Sequence, residues 1–394
     1  MNNLLKKPLA LCSALLWVIS GVAFAAPVDT THESAAPKEG APQSTAPKGI
    51  AHQYQNSFLI GTAIKSRDLM GERPATSALL CREFNAFTAE NAMKWQHIQP
   101  APGQFNFVMA DELIALAEQC KASVIGHTLV WHQQTPDWVF EDEQGNPVSR
   151  DTLLNRLREH IHTLVGRYKG KVYGWDVVNE ALNEDGTLRD TPWRRIIGDD
   201  FLVYAFRFAR EADPAAQLYY NDFNLYKPAK VAGAVRLVKQ LAAAGIKVDA
   251  VGMQGHYSLF YPSLADIEQS ILSLKQAGVA VAITELDISV LPLPDDAFNG
   301  ADISQSFAAH PVFDPYTNGL PAAQQQQLAS LYQQLFTLFL KHADSINRVT
   351  FWGTTDADSW RNNWPIRGRT DHPLLFDRHG RPKPAYDAIT QHIK

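Results

Sequence analysis

Two glutamates, Glu180 and Glu285, have the greatest chemical promise in this chain. Each closes a short apolar run: Trp175-Asp176-Val177-Val178-Asn179-Glu180 and Val281-Ala282-Ile283-Thr284-Glu285. A carboxylate at the end of an apolar segment is costly to bury unless it is partnered. The two are separated by about three βα units of roughly 35 residues each, which places them across one cleft in a barrel. Facing carboxylates are what cleavage of a glycosidic bond needs. One holds a proton for the leaving oxygen; the other is ionised, to attack the anomeric carbon or to activate water. Their surroundings must then push their pKa values apart. An imidazole from His256, oriented by Asp287, would favour the ionised form of Glu285, whereas aromatic and apolar surface around Glu180 would keep it protonated at mild pH. Asn179 is placed to reach a sugar 2-hydroxyl, where hydrogen bonds strengthen in the transition state.

Other polar and aromatic residues gather at the ends of similar runs. These are Glu90-Asn91 with Lys94-Trp95, His127 with Trp131-His132, Asn221-Asp222 with Asn224, Gln254-Gly255-His256, and Trp352 with Asp356 and Trp360. Sugar rings present apolar C–H faces that flat aromatic rings suit, so Trp95, Trp131, Trp352 and Trp360 are candidate sugar platforms. Trp138, Trp175 and Trp193 read equally well as core or wall. No metal is expected. H-E-x-x-H does not occur, His160 and His162 lie two apart and cannot share a helix face, and no carboxylate pair at metal spacing joins His127 and His132. No cofactor is expected either, since the Gly-rich phosphate-binding patterns are absent.

The elements that must position these residues alternate along the chain. Eight apolar runs read as strands: Phe58–Ile64, Ala86–Met93, Val124–Trp131, Gly174–Val178, Leu218–Asn221, Ala250–Met253, Val281–Leu286 and Val349–Trp352. Amphipathic segments lie between them. One begins at Asp151, with Leu153, Leu154, Leu157, Ile161, Leu164 and Val165 on one face and Gly170 beyond its end; another spans about Ala322 to His342. Continuous apolar strands alternating with helices indicate a parallel sheet covered on both faces. Eight such units predict an α/β fold, a single-domain (β/α)8 TIM barrel, whose active residues lie where strands end and loops begin. An insertion from about Leu291 to Gly319, rich in Pro, Asp and Asn, reads as a surface loop on that same side.

The first residues read as a processing signal. Lys6 and Lys7 precede an apolar stretch from Leu9 to Val22 and a small-x-small site at Ala23-Phe24-Ala25. Cleavage near Ala25 and export to the periplasm or beyond are expected, with no membrane attachment afterwards. Residues 26–50, rich in Ala, Pro, Thr and Ser, read as a flexible leader, and residues 51–394 as the catalytic domain. The net charge of −5 becomes more negative once the signal lysines leave, which argues against a nucleic-acid partner. Of three cysteines, Cys12 lies in the signal. Cys81 and Cys120 either pair, as an oxidising compartment permits, or remain buried thiols; spacing leaves both open.

The motifs together resemble glycoside hydrolase family 10: Thr88-Ala89-Glu90-Asn91-Ala92-Met93-Lys94-Trp95, Gly126-His127-Thr128-Leu129-Val130-Trp131-His132, Trp175 to Ala181, Gln254-Gly255-His256, Ile283-Thr284-Glu285-Leu286-Asp287 and the stretch from Trp352 to Trp364. The resemblance spans about Phe58 to Ile393 in order. It implies a retaining endo-β-1,4-xylanase, with Glu180 as acid/base and Glu285 as nucleophile. It implies that Glu90, Asn91 and Lys94 bind the sugar two places from the cleaved bond. His127, Trp131, Asn179, Gln254, His256, Trp352 and Trp360 would shape the adjoining subsite, with Asp287 in support. The implied partners are xylan and xylo-oligosaccharides, bound by a monomer; a β-1,4-glucan is the alternative substrate. Two positions depart from the family pattern. Phe223 stands where Tyr is commoner, which would weaken an aglycone-side contact, and Lys65-Ser66 where Asn is frequent.

Overall fold

A parallel β-barrel closed on itself organises the chain. The structure is a computed structural model and describes residues 49–293 and 302–391. The expected signal and nearly all of the expected leader lie outside these. Ile50, at the leader's predicted end, already belongs to a short helix, Ile50–Gln53; it is buried, and its N–H donates to the Glu83 carboxylate at 3.0 Å.

The strands are β1 Leu59–Ile64, β2 Ala86–Ala89, β3 Ser123–Val130, β4 Gly174–Asn179, β5 Gln217–Asp222, β6 Ala250–Met253, β7 His256–Ser258, β8 Ala280–Ser289 and β9 Ile346–Phe351. Strands β1 to β6 pair in order, β6 pairs with β8, β8 with β9, and β9 with β1, all in parallel. These eight staves form the TIM barrel. The predicted runs mark every stave and miss only the ends. The second run overshoots, because after Ala89 the chain turns to present Glu90 and Asn91 rather than continuing its ladder.

The ninth strand was not foreseen. Gln254 and Gly255, the latter at φ +83, interrupt the sixth stave, and the chain then resumes pairing as β7 along the outer half of β8. Its register sets His256 beside Asp287. Glu285 lies two residues earlier on β8 and so faces the same side. A backbone register thus delivers the imidazole to both carboxylates.

Large side chains fill the barrel. The Trp175 indole is fully buried, and a Cβ on neighbouring Gly126 would lie 2.0 Å from it, so glycine at 126 makes room for the ring. Outside, the helix Arg150–Arg167 begins at Ser149, whose hydroxyl accepts from the Thr152 N–H at 3.2 Å, an N-cap that satisfies a free helix donor. Leu153, Leu157, Ile161, Leu164 and Val165 are buried on its inner face and Leu154 partly so.

Cys81, in the helix Pro74–Glu83, and Cys120, closing the helix Val108–Cys120, form a disulfide. This decides between the two readings that spacing left open. The bridge closes a loop of sequence separation 39, for which the chain-entropy account gives roughly 4 kcal/mol of stabilisation. The double replacement Cys81→Ser with Cys120→Ser should therefore lower the melting temperature by several degrees while leaving turnover at 25 °C intact. An unchanged melting temperature would show that the bridge adds nothing to stability.

Candidate active site

The two glutamates end up in one cleft of about 280 Å³, each nearly buried and each held by a different set of donors. Glu180 follows β4 directly and sits in the left-handed region at φ +56. Its Oε2 accepts from the Trp131 indole N–H at 2.8 Å, and its Oε1 accepts from Gln254 at 2.9 Å and Asn179 at 3.2 Å. Burial raises the Glu180 pKa, and the Glu285 charge adds to the rise against the donors from Gln254 and Trp131. The rise was expected, but the carboxyl's immediate contacts are N–H groups rather than bare apolar surface.

Glu285, on β8, receives the Asn221 amide on Oε1 at 2.7 Å and the His256 Nε2 on Oε2 at 3.1 Å. Burial alone would raise its pKa. The His256 hydrogen bond, the imidazoles of His127 and His256, and the Asn221 donor hold it below the ordinary glutamate value instead. His256 is itself buried, which disfavours its charged form, yet the Asp287 and Glu285 carboxylates hold its pKa above the ordinary histidine value. Its Nδ1 lies 3.0 Å from Asp287 Oδ1. Asp287 in turn accepts from Arg361 Nε and Nη2 at 3.0 and 2.9 Å, and from the Trp360 indole at 2.7 Å. A buried line of alternating charge, Glu285–His256–Asp287–Arg361, favours the ionised form of Glu285.

The carboxyls are also joined through two amides. Asn221 Nδ2 donates to Asn179 Oδ1 at 2.9 Å as well as to Glu285, and Thr284 Oγ1 donates to Asn221 Oδ1 at 2.6 Å. This fixes the orientation of both amides and ties the strand ends of β4, β5 and β8 together.

The rest of the cleft is assembled from other strand ends. Lys94 Nζ donates to Asn91 Oδ1 at 3.1 Å and lies 4.8 Å from the Trp131 ring centroid. Burial lowers its pKa, while Glu285, Glu90 and Glu180 support its charge. Glu90 is buried beside Lys65, whose ammonium is 3.6 Å from its Oε1. His127 is held by Asp176 at 2.9 Å and packs edge-on against Trp352, centroids 5.3 Å apart. Trp360 leans over His256 at 4.7 Å and stacks on Trp364 at 4.5 Å.

Apart from Asp287, which stands behind His256, and Trp95, the residues assigned to the site from sequence line this cleft. Gln134 and Ile303 line it too and were not foreseen. Gln134 sits at φ +48 and donates to Asn91 at 3.3 Å; Ile303 belongs to the described part of the long loop after β8 and brings it to the active side. Arg361 was also missed, and Asn221, named at the end of the fifth run, had been given no role. Trp95 is a correction. It is buried, stacked on His160 with centroids 3.7 Å apart, and belongs to the core, as do Trp175 and Trp193. Phe223 is buried with its ring face occupied by Lys230 Nζ at 3.5 Å.

A sequence model of glycosyl hydrolase family 10 matches residues 49–392. The chain is 46% identical over 332 residues to endo-1,4-beta-xylanase A of Xylanibacter ruminicola, covering 84% of this chain and 90% of that protein. It is 43% identical over 338 residues to an endo-1,4-beta-xylanase of Geobacillus stearothermophilus, covering 84% and 95%. Among solved structures, a family 10 endoxylanase from a sugarcane soil metagenome superposes with a TM-score of 0.84 at 43% identity, covering 88% of this chain and 100% of that one. An intracellular xylanase of Thermoanaerobacterium saccharolyticum, solved as a mutant with xylotriose, superposes with a TM-score of 0.75 at 35% identity, covering 88% and 99%. With the barrel, the paired carboxyls and these likenesses in agreement, the chain belongs to glycosyl hydrolase family 10.

Proposed function

We propose that this glycoside hydrolase cleaves internal β-1,4-xylosidic bonds of xylan with retention, Glu285 acting as nucleophile and Glu180 as acid/base. The observation that carries the reading is the opposite displacement of two buried glutamates in one cleft. Glu285 is held below the ordinary glutamate pKa and Glu180 above it, the split that a nucleophile and a proton donor require. The relatives named endo-1,4-beta-xylanase and the solved xylotriose complex support xylan as the substrate.

In the first step a Glu285 oxygen attacks the anomeric carbon while Glu180 gives its proton to the departing glycosidic oxygen. The product is a covalent glycosyl ester and a free aglycone. Esterification removes the Glu285 charge. That charge had raised the Glu180 pKa, so Glu180 now releases a proton more easily and serves as base. It deprotonates a water that attacks the same carbon; Glu285 leaves, and Glu180 regains a proton. Asn179 would exchange its 3.2 Å bond to Glu180 for the sugar 2-hydroxyl. Glu90, Asn91 and Lys94 hold the next glycone sugar, and His127, Trp131, Gln254, Trp352 and Trp360 enclose the reacting one.

Xylan, mixed-linkage glucan and carboxymethyl cellulose assayed in parallel should give fastest release from xylan, with the β-anomer as the first product seen by NMR. Equal or faster release from a glucan would overturn the substrate, and an α-anomer first would overturn retention. We also propose export through a signal cut near Ala25, supported by the Cys81–Cys120 disulfide. The mass of the exported protein tests it.

A further inference from the structure

Lys230 is the least expected charge in the chain. It is fully buried, in the helix Pro228–Ala243 that follows β5. An unpaired buried ammonium would be prohibitive, and this one is fully engaged. Its Nζ lies 3.0 Å from Asp222 Oδ1, 3.1 Å from Glu184 Oε1 and 3.5 Å from the Phe223 ring centroid. Both carboxylates grip the segment that follows Glu180. Asp222 Oδ2 accepts from the Leu182 N–H at 3.3 Å and from the Tyr220 hydroxyl, which itself accepts from the Ala181 N–H at 3.2 Å. Glu184 belongs to that segment, and Lys227 also holds it, at 2.5 Å. Two residues on, Gly186 rests on the same helix: a Cβ there would meet Ala229 O at 2.2 Å, and one on Gly233 would meet Gly186 O at 2.5 Å.

We propose that the Lys230–Asp222–Glu184 ion cluster is a positioning device for Glu180, locking the segment that carries the acid/base so that its carboxyl meets the leaving oxygen. Glu180 occupies the left-handed region, at φ +56, which is unfavourable for an L-residue. Such a conformation persists only where the surroundings over-determine it. Leu182 bonds Asp222 directly, Ala181 is tied to Asp222 through Tyr220, and Glu184 is itself a member of the cluster, so the segment after Glu180 is constrained along its length. A shift of about 1 Å in a proton donor can cost about 100-fold in rate.

The inference rests on the acid/base reading of Glu180, and the test separates the two. kcat/KM is measured on phenyl β-xylobioside, whose leaving group needs a proton, and on 2,4-dinitrophenyl β-xylobioside, whose leaving group does not. Glu180→Ala sets the reference: a loss confined to the phenyl substrate upholds the acid/base role, and its absence overturns that role. Lys230→Met should then lose about 10- to 100-fold on the phenyl substrate and less than about threefold on the dinitrophenyl one. Glu184→Gln, at a partly exposed carboxylate, should show the same selectivity at smaller size, and it decides the matter alone if Lys230→Met does not fold. Equal losses on both substrates, or none, beside a selective Glu180→Ala would mean that the cluster serves stability only.

Discussion

Glu285→Gln should reduce turnover of xylan by about 10⁵-fold or more, the scale seen when an enzyme loses its nucleophile. The replacement keeps the side-chain shape and the contact with Asn221, so the fold should survive and the melting temperature should stay close to that of the parent. What disappears is the oxygen that, in the proposed mechanism, forms the glycosyl ester. The loss should be equally deep on an activated aryl xylobioside, because no leaving group compensates for a missing nucleophile. In the Glu285→Ala variant, which opens space on that face, added azide should restore partial turnover and yield the α-xylosyl azide. Residual activity within 100-fold of the parent, or a β-azide from this variant, would remove Glu285 from the nucleophile's role.

The second large effect belongs to Glu180. Glu180→Ala should lower kcat/KM on xylan by roughly 10²- to 10⁴-fold, the range of general acid catalysis, and far less on an activated aryl substrate. The parent enzyme should show a bell-shaped profile of kcat/KM against pH. Its acidic limb marks protonation of Glu285 and lies low, because histidine neighbours and the Asn221 donor outweigh burial there. Its basic limb marks loss of the Glu180 proton and lies high, because burial and the nearby Glu285 charge favour the protonated form. The limbs are macroscopic properties of the pair. On an activated substrate the basic limb should vanish in Glu180→Ala while the acidic limb remains. A basic limb that persists would assign it to another group.

The placement of the staves was legible because a stave covered on both faces must be apolar along its whole length. Gly174–Val178 and Ala250–Met253 stand out for that reason, and polar residues just beyond such runs fall at the barrel mouth. His256 shows where legibility stopped. The sequence places it near Glu285 as a loop residue, whereas a resumed ladder puts it in register with Asp287. Breaks of this kind depend on hydrogen bonds to a strand about thirty residues away, and no local pattern carries them.

By itself, then, the sequence determined the barrel, the pair Glu180 and Glu285, and most of the residues around them, since burial patterns and strand ends are local properties. Tertiary structure alone decided that Cys81 and Cys120 are joined, that Trp95 belongs to the core, and that Ile303 from a long loop reaches the cleft. It also decided how the pair is tuned. Arg361 behind Asp287, Asn221 between the carboxyls and Lys230 beneath the Glu180 segment come from distant parts of the chain. Each acts through Coulomb and hydrogen-bond forces that depend on separations of a few ångströms, and closing the barrel is what brings those separations about.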